Sequence, residues 1–218
     1  MKRVIIICEG PTEREFCEKI LSPVFVSKGI HIQPPLIKKS MGGIVKWVHL
    51  KKEILIHLKT DREAIVTTFI DYYGLYAKYQ FPRWDDAMNI PDKNQRMDFL
   101  ESAMSEDIDE NFRYRYLPYL QLHEFEGLLF NDRQVFYDQI PPNELVGMDK
   151  LEETFNEFEN PEMINDTKET SPSHRLVRII KGYNKIVYGN IIAEAIGLDA
   201  IRMKSPRFNE WLNKIESS

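Results

Sequence analysis

The sequence predicts an α/β protein: a mainly parallel, doubly wound, Rossmann-like sheet flanked by helices, with a helical C-terminal extension. Three observations predict it. Short apolar runs rich in β-branched or aromatic residues recur at 4–8, 64–70 and 114–122. Helical patterns stand between them, the alternation that a parallel sheet requires. After residue 124 the strand pattern disappears and only helical segments remain.

The elements follow in order. Residues 2–8 read as a buried strand, ended by Glu9-Gly10-Pro11. A helix follows with Pro11 in its first turn, Glu13 and Glu15 at its dipole-positive end, and Phe16, Cys17, Ile20, Leu21 and Val24 on one face. Residues 31–37 suit a proline-interrupted edge strand. Residues 43–59 suit an amphipathic helix with Ile44, Trp47, Val48, Ile54, Leu55 and Leu58 apolar. Residues 64–70 form a strand that ends at Asp71, and 72–91 a long aromatic loop. Residues 93–108 read as a helix, and 114–122 as a strand ending at His123-Glu124. Helical segments follow at 124–130, 143–158, 173–180, 191–196 and 206–215. Residues 1–130 are thus an expected α/β core, and 131–218 a helical extension packed on it within one structural domain.

Bulk composition excludes several classes. The chain has 218 residues, 43% of them hydrophobic, enough for a real core. With 29 Lys+Arg against 34 Asp+Glu the net charge is −5, which excludes a protein that coats nucleic acid by bulk positive charge. The two cysteines, Cys8 and Cys17, read as buried thiols, and no Cys-x-x-Cys occurs. The run at 4–8 is too short for a membrane span or a secretory signal, so the expected location is the cytoplasm. No Walker phosphate loop, Gly-x-Ser-x-Gly elbow or His-Glu-x-x-His motif is present.

The acids have a pattern. Ligands of open parallel sheets bind beyond the carboxyl ends of strands. Three expected strands finish there in a carboxylate: Glu9, Asp71, and Glu124 with Glu126 two residues on. Gathered on one edge these groups repel unless neutralised, and a hard cation, Mg²⁺ or Mn²⁺, is the usual solution. Glu13 lies on the inward face of its helix, where a carboxylate needs a partner or a ligand. Its other reading is an acid at a helix N-terminus. Asp71 also reads as a turn residue beside Gly74, Glu124 and Glu126 as first-turn acids, and His123 as a hydrogen-bonded structural histidine.

Local cations are needed to meet a phosphodiester. Ser171-Pro172-Ser173 reads as a helix start whose N–H groups suit a phosphate, with His174 and Arg175 following. Lys181 and Lys185 would share one face if helical. A capped helix with solvated basic residues is the plainer alternative. Tyr72, Tyr73, Tyr76, Tyr79, Phe81 and Trp84 crowd the loop after Asp71 beside Lys78 and Arg83, suiting packing, a protein interface or base stacking.

The segment Ile5-Ile6-Ile7-Cys8-Glu9-Gly10-Pro11-Thr12-Glu13 resembles the first motif of TOPRIM domains, and is similar to that of the overcoming-lysogenization-defect (OLD) nucleases. The second TOPRIM motif, Asp-x-Asp, corresponds to Ile70-Asp71-Tyr72-Tyr73-Gly74, with Tyr73 replacing the second aspartate. The whole chain resembles a bacterial family of uncharacterised TOPRIM-like proteins that often accompany a predicted ATPase. The carrying stretches also include 123–130, 160–166, 171–175 and 181–185.

The resemblance implies a Mg²⁺- or Mn²⁺-dependent nuclease of DNA or RNA in an ATPase-linked anti-phage system. It implies Glu9 as metal ligand or general acid/base, Asp71 and Glu13 as metal ligands, and Glu124 or Glu126 completing the set. His123 would support those ligands from behind, and Ser173, Arg175, Lys181 and Lys185 would meet phosphate. The expected partners are nucleic acid, through a local patch, an ATPase and a second copy of the chain, with no membrane. The other class of function is a non-catalytic TOPRIM-like module that binds and regulates the ATPase.

Overall fold

β1 (Lys2–Cys8) is the strand the apolar run requires: Val4 to Cys8 are buried on both faces. The computed structural model describes residues 1–38, 43–165 and 167–218, so Asp166 of the resembling stretch lies outside the described residues. The chain leaves β1 through α1 (Pro11–Phe16) and α2 (Ser22–Ser27), which the sequence reads as one helix. A π turn at Cys17–Leu21 joins them, one residue wider per turn than an α-helix.

β2 (Ile30–Gln33) pairs parallel with β1, and its burial alternates as an edge strand's should. It is shorter than 31–37 because Pro34 and Pro35 lack N–H donors. The pairing is nonetheless extended, with Cys8 N donating to Pro35 O at 2.9 Å and Ile37 N to Cys8 O at 3.2 Å. α3 (Trp47–Thr60) is the amphipathic helix and starts four residues later than the pattern suggests. It returns the chain to β3 (Ile65–Asp71), buried along its full length and parallel to β1. The bidentate pair of Arg3 and Asp61, at 2.5 and 2.8 Å, ties the start of β1 to the turn before β3.

The aromatic loop is partly ordered into a 3₁₀ turn at Ala77–Tyr79 and α4 (Trp84–Met88). α5 (Lys93–Glu106) and α6 (Glu110–Arg113) lead to the last strand region. The single strand expected at 114–122 is two short ones, β4 (Tyr116–Leu117) and β5 (Leu120–Gln121), both parallel to β3. Pro118 lies between them and cannot donate to the ladder. Thr68 bridges the interruption: its Oγ1 donates to Tyr119 O at 2.8 Å and accepts from Tyr119 N at 3.0 Å. Among the described residues the sheet has five strands in the order β2-β1-β3-β4, with β5 also on β3. Every pairing in it is parallel. The carboxyl ends of β1 and β3 therefore fall on the same edge.

The chain divides into two compact units, Met1–Leu122 with Trp211–Ser218, and His123–Glu210. The division falls at 122/123, before the 130/131 boundary suggested by sequence, and the last eight residues belong with the sheet. The second unit contains α7 (Arg133–Gln139), α8 (Met148–Glu157), α9 (Pro172–Ile179), α10 (Lys185–Ile196) and α11 (Leu198–Lys204). It also holds the start of α12 (Pro206–Ser217). α7 and α11, seven residues each, carry too little periodicity to be read from sequence. α10 starts six residues earlier than expected, because Asn184 caps it through Ile186 N and Val187 N, both at 3.1 Å. No helix among the described residues is long and apolar enough to cross a membrane.

In the first unit, Trp211 stacks on Tyr119 with centroids 4.4 Å apart and planes within 6°, and lies 5.2 Å from the Phe69 ring. Its Nε1 donates to Thr67 Oγ1 at 2.8 Å. Trp211→Ala is expected to lower the unfolding free energy by about 3–5 kcal/mol, the scale of a buried aromatic deletion. Trp211→Phe should recover most of that loss. Urea denaturation followed by far-UV circular dichroism measures both.

Candidate functional site

In the first unit, the parallel register sets Cys8 beside Phe69, and Glu9 N donates to Phe69 O at 3.1 Å. The Glu9 side chain then turns back onto the neighbouring strand, where its Oε2 accepts from Asp71 N at 3.1 Å. Residues 62 apart in sequence are thus joined at one strand edge. Asp71 is buried and remains inside the pairing with β5, opposite Gln121. Glu13 is 2% exposed, and its Oε2 accepts from Gly10 N at 2.9 Å, closing a capping box. Both sequence-based roles of Glu13 meet here: it faces inward, and one oxygen caps the helix. Gly10 has extended backbone, so its value is space. A Cβ there would lie 3.1 Å from Glu13 Oε2.

The loop after Asp71 packs more than its composition suggests. Phe81 is buried against Trp47, with centroids 5.5 Å apart, and Arg83 lies over the Phe99 ring at 4.4 Å. Tyr76 and Tyr79 remain outward, with Lys78 Nζ 5.5 and 5.0 Å from their centroids. Gln80 and Arg83 adopt left-handed backbone, at φ 57° and 52°, which non-glycine residues seldom do.

In the second unit, His123 is buried, also left-handed at φ 68°, and directs the chain into a 3₁₀ turn at Phe125–Leu129. Glu124 and Glu126 flank the start of that turn and are both buried. Ser173 clamps Glu124: its N donates to Oε2 and its Oγ to Oε1, each at 2.9 Å. The helix-start N–H read as a phosphate donor is therefore occupied by a carboxylate of the same chain. Glu126 is 1% exposed, and neither of its oxygens has an aligned hydrogen-bond donor. Lys185 Nζ lies 3.1 Å from its Oε1 as an ion pair. Glu126 lines an open cavity of about 400 Å³ with Ser173, His174, Val177, Tyr183, Asn184 and Lys185. The buried Tyr183 hydroxyl has no hydrogen-bond partner either.

The remaining basic candidates separate. Arg175 is engaged inside the unit, with Nε to Thr170 O at 2.8 Å, Nη1 to Thr154 Oγ1 at 3.0 Å, and its plane over Phe158. Lys181 and Lys185 do not share a helical face. Lys181 N bonds Glu144 O, Gly182 turns the chain at φ +73°, and α10 begins only at Lys185. His174 Nδ1 is 2.9 Å from Ser171 Oγ. The sequence assigns no role to Tyr183, whose signal is its place in the resembling stretch 181–185, between Lys181 and Lys185. Glu162, in the resembling stretch 160–166, has no role assigned from sequence either. It is 1% exposed and accepts Arg207 N at 2.9 Å and Phe208 N at 3.0 Å, capping α12.

Burial raises the Glu124 carboxyl above its ordinary range, and the charge of Glu126 adds to the effect, while Ser173 and Lys185 oppose it. Burial likewise pushes the Tyr183 hydroxyl far up, with Glu126 and Glu124 adding to it, so it is neutral at any working pH. Within either unit, among the described residues, no group of three or more His, Cys, Asp or Glu is assembled to hold a metal alone. Mg²⁺ does not require one, since it commonly takes one or two carboxylates and completes its shell with water and phosphate. The buried Glu126 Oε2 without a donor fits such an ion.

A carboxyl whose pKa is raised by folding binds more protons in the folded state, so it costs stability as pH rises from the ordinary carboxylate range through the folded pKa. The unfolding free energy of Glu124→Gln minus that of the natural protein should therefore grow with pH across that window and level off above it. Urea titrations from about pH 4 to 8 measure this difference, the interval reaching upward from the unperturbed glutamate value.

One solved structure similar to the chain is the C-terminal region of the Xanthomonas campestris pv. campestris OLD protein, 16% identical, with 92% of this chain and 89% of that one covered and a TM-score of 0.44. No curated protein matches the chain. Residues 8–216 match the family described as a domain of unknown function, DUF4276, and the chain belongs to that family.

Proposed function

We propose that the chain is a divalent-metal-dependent, TOPRIM-type nuclease that hydrolyses phosphodiester bonds of DNA or RNA, working in the cytoplasm with a partner ATPase in anti-phage defence. The observation that carries this reading is the bond between Glu9 and Asp71 N, which joins the two acidic strand ends of the resembling motifs. Glu9, Glu13 and Asp71 in the first unit, and Glu124 and Glu126 in the second, are the residues that would hold Mg²⁺ or Mn²⁺. When bound, the ion supplies positive charge to the phosphoryl oxygens and an activated water.

The chain's own groups do the rest. The Asp71 N–H fixes the Glu9 carboxylate against β3, so Glu9 is oriented before substrate arrives. Ser173 orients Glu124 through both oxygens. Lys185, paired with Glu126 in the lining of the cavity, brings there a positive charge that a net charge of −5 lacks overall.

A second reading has its own support. Tyr73 stands where the TOPRIM motif has its second aspartate. That replacement favours a non-catalytic module that regulates the ATPase.

Cleavage of plasmid and of single-stranded oligonucleotide in Mn²⁺, with the partner ATPase present, separates the two. Glu9→Gln is expected to lower the cleavage rate at least ~100-fold, the usual scale for removing an acid–base or charge-stabilising group. Equal cleavage by the variant and the natural protein would sink the assignment of Glu9. No cleavage of any nucleic acid, with ATPase turnover altered by the chain, would favour the regulatory reading.

A further inference from the structure

Glu126 differs from the other buried acids of its unit. Glu124 has both oxygens clamped by Ser173, and Glu162 has both taken by backbone N–H groups of α12. Glu126 is as deeply buried as Glu162, yet it has no aligned donor, and its charge is met by the Lys185 ammonium, 3.1 Å from Oε1. A buried charge left so thinly partnered is costly, so the arrangement is a poor way to make a permanent contact.

The Lys185 side chain is 47% exposed, so its ammonium reaches Glu126 from the solvent side of the cavity. Its backbone is fixed, because the Asn184 side chain caps the first turn of α10. The four-carbon stem carries a strongly hydrated point charge that returns readily to water.

We propose that Lys185 is a built-in counter-ion that occupies the place of a divalent cation at Glu126 and gives it up when the cation binds. The proposal rests on the metal reading above and adds an order to it. The cation displaces the ammonium by competing for Glu126 and by like-charge repulsion. Lys185, released to the cavity mouth, then becomes available to a substrate phosphate. Loading with metal thus precedes engagement of phosphate, and a single lysine serves the two states in turn.

Mn²⁺ alone is the probe. Titration of the full chain, followed by the electron paramagnetic resonance of the free aquo ion, gives the affinity without any turnover. Lys185→Met, which removes the charge and keeps the stem, is expected to bind Mn²⁺ about tenfold more tightly, the effect of deleting a competing charge a few ångströms away. Lys185→Gln should show the same gain, and Glu126→Gln should lose binding. Without metal, Lys185→Met should melt at a lower temperature than the natural protein, and Mn²⁺ should raise its melting temperature by more. Equal or weaker Mn²⁺ binding by both Lys185 variants, with Glu126→Gln still defective, would overturn the counter-ion role and leave the metal reading standing. No Mn²⁺ uptake by the natural protein or by any variant would overturn both.

Discussion

Burying a carboxylate without a partner is among the costliest things a fold can do, and much of this structure follows from how the cost is met. The recurring solution is a backbone N–H. The half-buried Glu9 takes that of Asp71, and the buried Glu13 takes that of Gly10, Glu53 that of Lys38, Glu124 that of Ser173, and Glu162 those of Arg207 and Phe208. Each such bond is local electrostatics with long-range consequences. Glu9 links two strands, Glu53 ties α3 to the segment after β2, and Glu162 sets where α12 begins. Against this pattern Glu126 is the departure, held by the ammonium of a half-exposed lysine where its neighbours are held by main chain. Departures from local rules concentrate where a protein acts.

The strands that position the first acids were legible because their signal is local. Val4-Ile5-Ile6-Ile7-Cys8 and the run to Asp71 can hardly be anything but buried strands, and parallel pairing then brings their carboxyl ends to one edge. What stayed hidden was non-local. The break at Pro118 reads from sequence as a blemish in one strand, because the repair comes from Thr68, fifty-one residues before the Tyr119 it bonds. The π turn reads as plain helix, since its apolar residues continue the face begun by Phe16. The short helices of the second unit are held by contacts such as Asn131 to Ala200 O, which no window of sequence displays.

The same division runs through the candidate residues. Glu9 and Asp71 could be paired from sequence because strand ends are the one place where topology is nearly forced. The phosphate candidates could not, because a helix start advertises free N–H groups without saying what already fills them. Ser173 N is taken by Glu124, and Arg175 is taken by Thr154, Thr170 and Phe158. Two lysines four apart shared a face only on paper, because Gly182 turns the backbone between them. Spacing arguments hold inside an element and fail across its boundary.

The three tryptophans give the fold a readable optical layout. Trp211 and Trp47 are almost wholly shielded, one stacked on Tyr119 and the other beside Phe81. Trp84 is half-buried, packed at an angle against Tyr72 in the loop that follows Asp71. Red-edge emission and accessibility to an aqueous quencher therefore belong to Trp84, while the blue component belongs to the interior. Events at the edge of the sheet and events in its core can be followed as separate colours of one unlabelled sample.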